Sequence, residues 1–210
     1  MDFSEVKRLI DLSVYEDQLY EYGFENIAGV DEAGRGSLAG PIVAAAVILD
    51  KKKRIIENLN DSKKLDFVNR KKVFRNIIKT CKSWSFATVS NTVIDRISMG
   101  KANILVLKKA IKYLKIVPDI VISDAIDINL NKTAIDIIPL IKGDEKSSSV
   151  AAASIIAKVI RDSIMVRLSR INPEYDFKTN KGYGTKKHQI FLQKYGPSRF
   201  HRISFKGVLY

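Results

Sequence analysis

The sequence predicts an α/β domain built on a mixed sheet, and three observations predict it. Strand-like and helix-like segments alternate along most of the chain, the order that parallel crossovers require. The segment 41–49 (PIVAAAVIL) is almost wholly apolar, as a strand covered on both faces must be. At 210 residues with 46% hydrophobic content, one core suffices. A chain of this length buries roughly 70% of its unfolded surface, so no disulfide or metal staple is needed.

Residues 4–22 read as one amphipathic helix, with Val6, Leu9, Ile10 and Val14 on a shared apolar face. Residues 27–32 (IAGVDE) and 41–49 read as strands joined by a Gly-containing loop, close enough to form a hairpin. Asp61-Ser62-Lys63-Lys64 is a loop leading into a helix over 66–80, where Val68, Val73, Phe74, Ile77 and Ile78 follow helical spacing. Residues 84–90 alternate as a strand, and a helix over 99–116 stops before Pro118. Two short strands, 119–124 and 133–138, precede a long helix over 148–170 that Asn172-Pro173 ends. Parallel crossovers are expected wherever a helix separates two strands. The basic, aromatic tail, 174–210, reads as a small lobe with one helix near 186–195.

Lys and Arg number 36 against 23 Asp and Glu, a net charge of +13. Counterion release makes nucleic acid the first candidate partner for such a surface. Lysine-rich helices that are merely solvated give the same count. Cys81 is the lone cysteine, which excludes an internal disulfide and a cysteine zinc cluster and fits a reducing cytoplasm. The N-terminal segment is acidic from Asp2 and lacks the apolar block of a targeting signal. The longest apolar run, Ile42 to Leu49, is too short for a membrane helix, so a soluble protein is expected.

The densest motif is Val30-Asp31-Glu32-Ala33-Gly34-Arg35-Gly36, a strand running into two carboxylates and a Gly-Arg-Gly turn. Strand-end carboxylates facing a cleft are natural ligands for a hard cation such as Mg²⁺. In a regular strand, however, Asp31 and Glu32 point to opposite faces, and both serve one site only where the strand ends or kinks. A solvated turn has the same composition. The glycines fail the dinucleotide-binding spacing, and Pro41 opens a strand rather than a helix.

Asp124 closes the buried strand DIVIS, where α/β sheets place ligands, although a turn or helix cap also ends in aspartate. Ser154, Lys158 and Asp162 share one stripe of the 148–170 helix, and Ala151, Ala152 and Ala153 permit close approach to a neighbour. Asp162 is either a further acidic ligand or an ion-pair partner of Lys158. Lys142-Gly143-Asp144 reads as a loop on the substrate side. Tyr183, between glycines and beside Lys181, suits stacking on a sugar or base, or simply packs on the surface. His188 and His201, 13 positions apart, lack metal-ligand spacing.

Taken together, these segments resemble the ribonuclease HII (type 2 ribonuclease H) family over Ile27 to Phe205. The resemblance is carried by GVDEAGRG (29–36) with GP (40–41), DSKKL (61–65), ISD (122–124), KGD (142–144), AAASIIAKVIRD (151–162), KGYGT with His188 (181–188) and HRISF (201–205). Ala125 stands where many bacterial members have glycine.

The resemblance implies a ribonuclease H-like mixed five-stranded sheet flanked by helices, with a small helical C-terminal segment. It divides the chain into an N-terminal helical extension (1–25), a catalytic domain (26–172) and a substrate-binding segment (173–210). It also implies Asp31, Glu32, Asp124 and Asp162 as catalytic metal ligands for two Mg²⁺ or Mn²⁺ ions, leaving 3′-OH and 5′-phosphate ends. Gly34, Arg35 and Gly36 would read the 2′-hydroxyl, and Tyr183 would bond it and stack on the next deoxyribose. Ser154 joins the substrate-binding set, with Lys63, Lys64, Lys158 and Lys181 on phosphates. The implied substrates are RNA/DNA hybrids and DNA containing ribonucleotides, cut 5′ of the ribonucleotide during ribonucleotide removal. A cytoplasmic monomer is expected, away from membranes, with a replication clamp as candidate partner. Two alternatives stand beside this reading: the sister ribonuclease H that prefers longer RNA tracts, and a non-catalytic nucleic-acid binder of the same fold. The first typically carries an extra N-terminal domain, for which residues 1–28 leave no room; the second should lack a carboxylate.

Overall fold

Five strands form one mixed sheet: β1 (Ile27–Ala33), β2 (Ile42–Ile48), β3 (Ser83–Val89), β4 (Ile120–Asp124) and β5 (Asp136–Leu140), in the order β3-β2-β1-β4-β5. The computed structural model describes residues 1–60, 62, 65–128, 130 and 135–209. β1 pairs antiparallel with β2 and parallel with β4, while β4 and β5 are parallel. The helices are α1 (Phe3–Leu12), α2 (Val14–Glu21), α3 (Phe67–Thr80), α4 (Asn91–Ile97), α5 (Met99–Lys112), α6 (Gly143–Lys146), α7 (Ser148–Ile171), α8 (Phe177–Asn180) and α9 (Lys186–Tyr195). None of the described helices is long and apolar enough to cross a membrane.

β2 is buried along its whole length because helices cover both of its faces. Ile42, Ala44, Ala46 and Ile48 pack with Ala102, Val106 and Ala110 of α5. Ala45 and Val47 pack on the other side with Ala151, Ala152 and Ala153 of α7. Burying each larger aliphatic side chain here contributes ~1.5–3 kcal/mol. The alanine stripe brings the α7 backbone down onto β1. A Cβ placed on Gly29 would meet the carbonyl carbon of Ser149 at 2.1 Å and the nitrogen of Val150 at 2.3 Å. Neither backbone atom has a side-chain torsion through which to move away. Gly29→Ala is therefore expected to destabilise the protein by about 3 kcal/mol or more, measured as a fall in the urea midpoint.

Three expectations are corrected by packing. The N-terminal helix is two helices, because Ser13 Oγ donates back to the Leu9 carbonyl (2.9 Å) and competes with helix continuation. Leu9 and Leu12 are buried, whereas Ile10 and Val14 are exposed. Glu16 of α2 is also buried and accepts from Ser149 N (2.8 Å) at the start of α7, a favourable place for an anion. Second, β3 runs antiparallel to β2 although α3 lies between them, since Ile48 pairs with Ser83. β2 ends and β3 begins at the same end of the sheet, with α3 in the stretch between them. Third, α4 fills part of the stretch before the helix expected from 99, capped by Ser90 Oγ on Val93 N (3.3 Å).

The fifth strand sits at 136–140 rather than 133–138, with 133 and 134 outside the described residues. Pro139 is tolerated there because β5 is an edge strand. The C-terminal tail lies over the loop that follows β1. Leu38 N donates to Gly182 O (2.8 Å), Gly40 N to Phe200 O (2.9 Å) and Arg202 N to Leu38 O (2.8 Å).

Candidate active site

A cavity of about 640 Å³ opens at the C-terminal ends of the parallel neighbours β1 and β4. Parallel strands place ligands at this end. Its walls include Asp31, Glu32, the Gly34–Gly36 turn, Asp124, Lys158 and Tyr183. Asp31 and Glu32 do point to opposite faces of β1, and the strand does not end between them. Glu32 faces α5, where Asn103 Nδ2 donates to its Oε1 (3.2 Å). Asp31 Oδ1 accepts from Glu32 N (2.7 Å). The cavity reaches both because it lies across the strand's end rather than over one face.

Asp124 is aimed by the following loop: Gly143 N donates to its Oδ1 (2.8 Å). The Lys142-Gly143-Asp144 segment, expected as a loop on the substrate side, does adjoin the cavity but opens the short helix α6. Gly143 and Asp144 are buried, and Gly143 holds Asp124. Ala125, next in the chain, has φ 54°, the left-handed conformation that glycine adopts without strain.

Three acidic side chains at one cavity repel. Burial pushes the Asp31 carboxyl well above the usual carboxylate range, and the charges of Glu32 and Asp124 add to it. Glu32 is raised by burial, and Asp124 adds to that, although the Asn103 hydrogen bond and the Arg35 charge pull the other way. The all-oxygen donor set is that of a hard divalent cation, which would relieve the repulsion. Asp162 is buried and ion-paired, with Lys158 Nζ 2.9 Å from its Oδ1. Arg70 Nη1 stands 3.7 Å from Oδ2. Among the described residues, no three His, Cys, Asp or Glu side chains stand close enough together to hold a metal ion as they are placed. Asp31, Glu32 and Asp124 line the cavity, and Asp162 stands behind Lys158.

The remaining predicted residues divide between the cavity and its surroundings. Gly34, Arg35, Gly36, Ser154, Lys158 and Tyr183 line it. Ser154 Oγ donates to Ser62 Oγ (2.9 Å), tying α7 to Ser62. Lys181 lies outside the lining and its ammonium donates to the Lys178 carbonyl. Lys63 and Lys64 fall outside the described residues. The Tyr183 ring has Arg161 5.3 Å and Lys158 5.5 Å from its centroid.

Sequence reasoning missed the groups that hold this wall. Asn103 was legible in principle, as a polar residue in line with Leu107 and Ile111 on the apolar side of α5. Arg161 and Arg202 lie within the motifs AAASIIAKVIRD and HRISF but were given no role, and both are fully buried. Arg161 donates to the carbonyls of Pro41 (3.2 Å) and Ala39 (3.3 Å). Arg202 donates to those of Gly40 (3.0 Å) and Arg35 (2.9 Å). Gly34 has φ 94°, and a Cβ there would meet Arg161 Nε at 1.8 Å.

His188 and His201, without metal-ligand spacing, nonetheless meet: their Nε2 atoms are 3.0 Å apart. Burial, and then His188, lowers the His201 pKa from 6.5 to about 4. As pH falls, the unfolded chain therefore binds this proton first. The neutral buried ring is compatible with full stability above about 6.5, and stability is lost as pH falls towards about 4. Between pH 7 and 5 the loss is about 2 kcal/mol. Asp31 acts oppositely, since a raised carboxyl pKa makes acidification favourable to the folded state. Unfolding of wild type and His201→Gln across this range isolates the histidine, and the variant should show the flatter acid limb.

The family model for ribonuclease HII matches residues 28–208. A ribonuclease HII from Caldicellulosiruptor bescii is 52% identical over 198 residues, covering 92% of this chain and 93% of that protein. The ribonuclease H2 structure from Pyrococcus horikoshii is similar with a TM-score of 0.75 and 28% identity, over 87% of this chain and 95% of that one. The ribonuclease HII of Archaeoglobus fulgidus, solved in complex with PCNA, is similar with a TM-score of 0.70 and 28% identity, over 83% and 91%.

Proposed function

This chain belongs to the ribonuclease HII family and is an endonuclease of the ribonuclease H type, and from that premise we propose that it nicks duplex DNA 5′ of single embedded ribonucleotides as well as cutting the RNA strand of hybrids. The supporting observation is that Asp31, Glu32 and Asp124 meet at one cavity whose other walls are the Gly34–Gly36 turn and Tyr183. Asp31, Glu32, Asp124 and Asp162 would hold Mg²⁺ or Mn²⁺. Bound there, such ions supply an activated water and stabilise the leaving 3′-oxygen, which gives 3′-OH and 5′-phosphate ends.

The chain's own groups do the rest. Asn103 orients Glu32, and Gly143 orients Asp124, before any substrate arrives. Burial and the neighbouring charges make the Asp31 carboxyl hold a proton more readily than an ordinary carboxylate, so a cation held there would compete with that proton and its affinity would rise with pH. Lys158 offers a cation to a backbone phosphate from the cavity wall. The Gly34–Gly36 main chain can approach a ribose closely, and its amides and carbonyls suit the 2′-hydroxyl, which donates and accepts. Tyr183 presents an aromatic face for the adjoining sugar.

The wider role is removal of ribonucleotides from DNA. The A. fulgidus relative's complex with PCNA supports a replication clamp as a protein partner. The lone Cys81 fits a reducing cytoplasm.

The test uses a labelled duplex with one ribonucleotide, a uniform RNA/DNA hybrid and an all-DNA control, each with Mg²⁺ or Mn²⁺. A nick 5′ of the ribonucleotide, with the control intact, is expected. Cutting of the hybrid alone would assign the preference of the sister enzyme, and cutting of neither would leave a binder.

A further inference from the structure

The proton positions of the two histidines follow from their partners by elimination. His188 Nδ1 lies 2.9 Å from the Tyr183 carbonyl, which can only accept, so this nitrogen carries the hydrogen. Nε2 of the neutral His188 ring is then an acceptor. The bond across 3.0 Å must come from His201 Nε2–H. That leaves His201 Nδ1 as an acceptor, and it receives Ser198 N at 2.9 Å. One directional chain therefore runs from the Ser198 amide through both rings to the Tyr183 carbonyl.

Both rings are fully buried against Tyr175 and Phe177, at ring centroid distances of 4.7 to 6.4 Å. Two apolar side chains would fill that space without polar atoms to satisfy. A buried polar chain with every member bonded instead fixes one arrangement of the groups at its ends. One end is the main chain of Tyr183, whose side chain faces the cavity. The other joins the tail, where His201 bridges to Ala39 in the loop after β1.

We infer that the His188–His201 pair is a positioning device that sets Tyr183 against the Gly34–Gly36 turn and thereby sets the preference for a ribonucleotide–DNA junction. This rests on the reading of Tyr183 given above. Neither histidine lines the cavity; they act through the Tyr183 backbone. Thr185 N also donates to that carbonyl (2.8 Å), so the loop persists without His188 but with one restraint fewer.

The readout is the ratio of kcat/KM on a single-ribonucleotide duplex to that on a uniform hybrid. His188→Leu keeps volume and loses the donor; His188→Asn keeps a donor near the Nδ1 position. His188→Leu is expected to lower the ratio about tenfold, and His188→Asn to restore most of it. In a Tyr183→Ala background, neither change should alter the ratio further. A purely structural role would depress both substrates alike in both backgrounds, and that result overturns the inference. So does a folded His188→Leu with the wild-type ratio while Tyr183→Ala has lost it, which leaves the reading of Tyr183 standing. If Tyr183→Ala itself keeps the ratio, that reading fails and this inference with it. Should His188→Leu not fold, His201→Gln, with a donor near Nε2, and His201→Met, without one, repeat the comparison from the far ring.

Discussion

Asp124→Asn is expected to lower cleavage of a single-ribonucleotide duplex by about 10³-fold or more, because it removes charge where a divalent cation must be held. The substitution is nearly isosteric, and the amide oxygen can still accept from Gly143 N, so the loop that aims the side chain is kept. The loss should therefore appear in kcat rather than in affinity for the duplex. Stability should move the other way at the paired position. Asp31 is buried beside Glu32 and Asp124, and all three repel without a counter-ion. Asp31→Asn retains an oxygen for Glu32 N and removes one of the like charges. In metal-free buffer its Tm should rise by roughly 2–4 °C, the trade of stability for activity common at functional sites. A calorimetric scan of each variant checks this. A lower Tm in Asp31→Asn would mean that the carboxylate serves the fold.

Tyr183→Ala is the second large effect. It should reduce the preference for a ribonucleotide–DNA junction by about tenfold to a hundredfold while leaving most activity on uniform hybrids. The asymmetry follows from where the ring stands. It lines the same cavity as the carboxylates, with Lys158 and Arg161 beside its ring. Its removal leaves the cleaving groups in place and takes away the surface that meets the neighbouring sugar. Initial rates on the two substrates measure this directly. A uniform fall on both would place Tyr183 in the chemistry, and no change would remove it from recognition.

Much of the architecture was legible because local pattern and tertiary demand agree. The apolar run 41–49 is a doubly covered strand, and the alanines 151–153 do bring α7 against the sheet. Asp31, Glu32 and Asp124 could be picked out as strand-end carboxylates, although periodicity does not show that they line one cavity: β1 and β4 are neighbours only through a crossover of more than eighty residues. Asp162 showed both of its readings in the sequence, and the structure displays its ion pair with Lys158. What could not be read was set by contacts distant in the chain. The return of β3 alongside β2 is set by the pairing of Ile48 with Ser83, far apart in the chain. The histidine pair joins positions whose spacing carries no signal, and Arg161 and Arg202 are buried against carbonyls that no side-chain pattern announces. The break at Ser13 lay in plain view, but a serine hydroxyl ends a helix in one setting and decorates it in another.

Titration with Mn²⁺, following free ion by electron paramagnetic resonance, addresses the acidic cavity most directly. Wild type should take up the ion saturably, and Asp31→Asn and Asp124→Asn should each bind it about tenfold more weakly or worse, while remaining folded. Uptake of equal strength in all three proteins, or none in the wild type, would show that these carboxylates do not form a cation site.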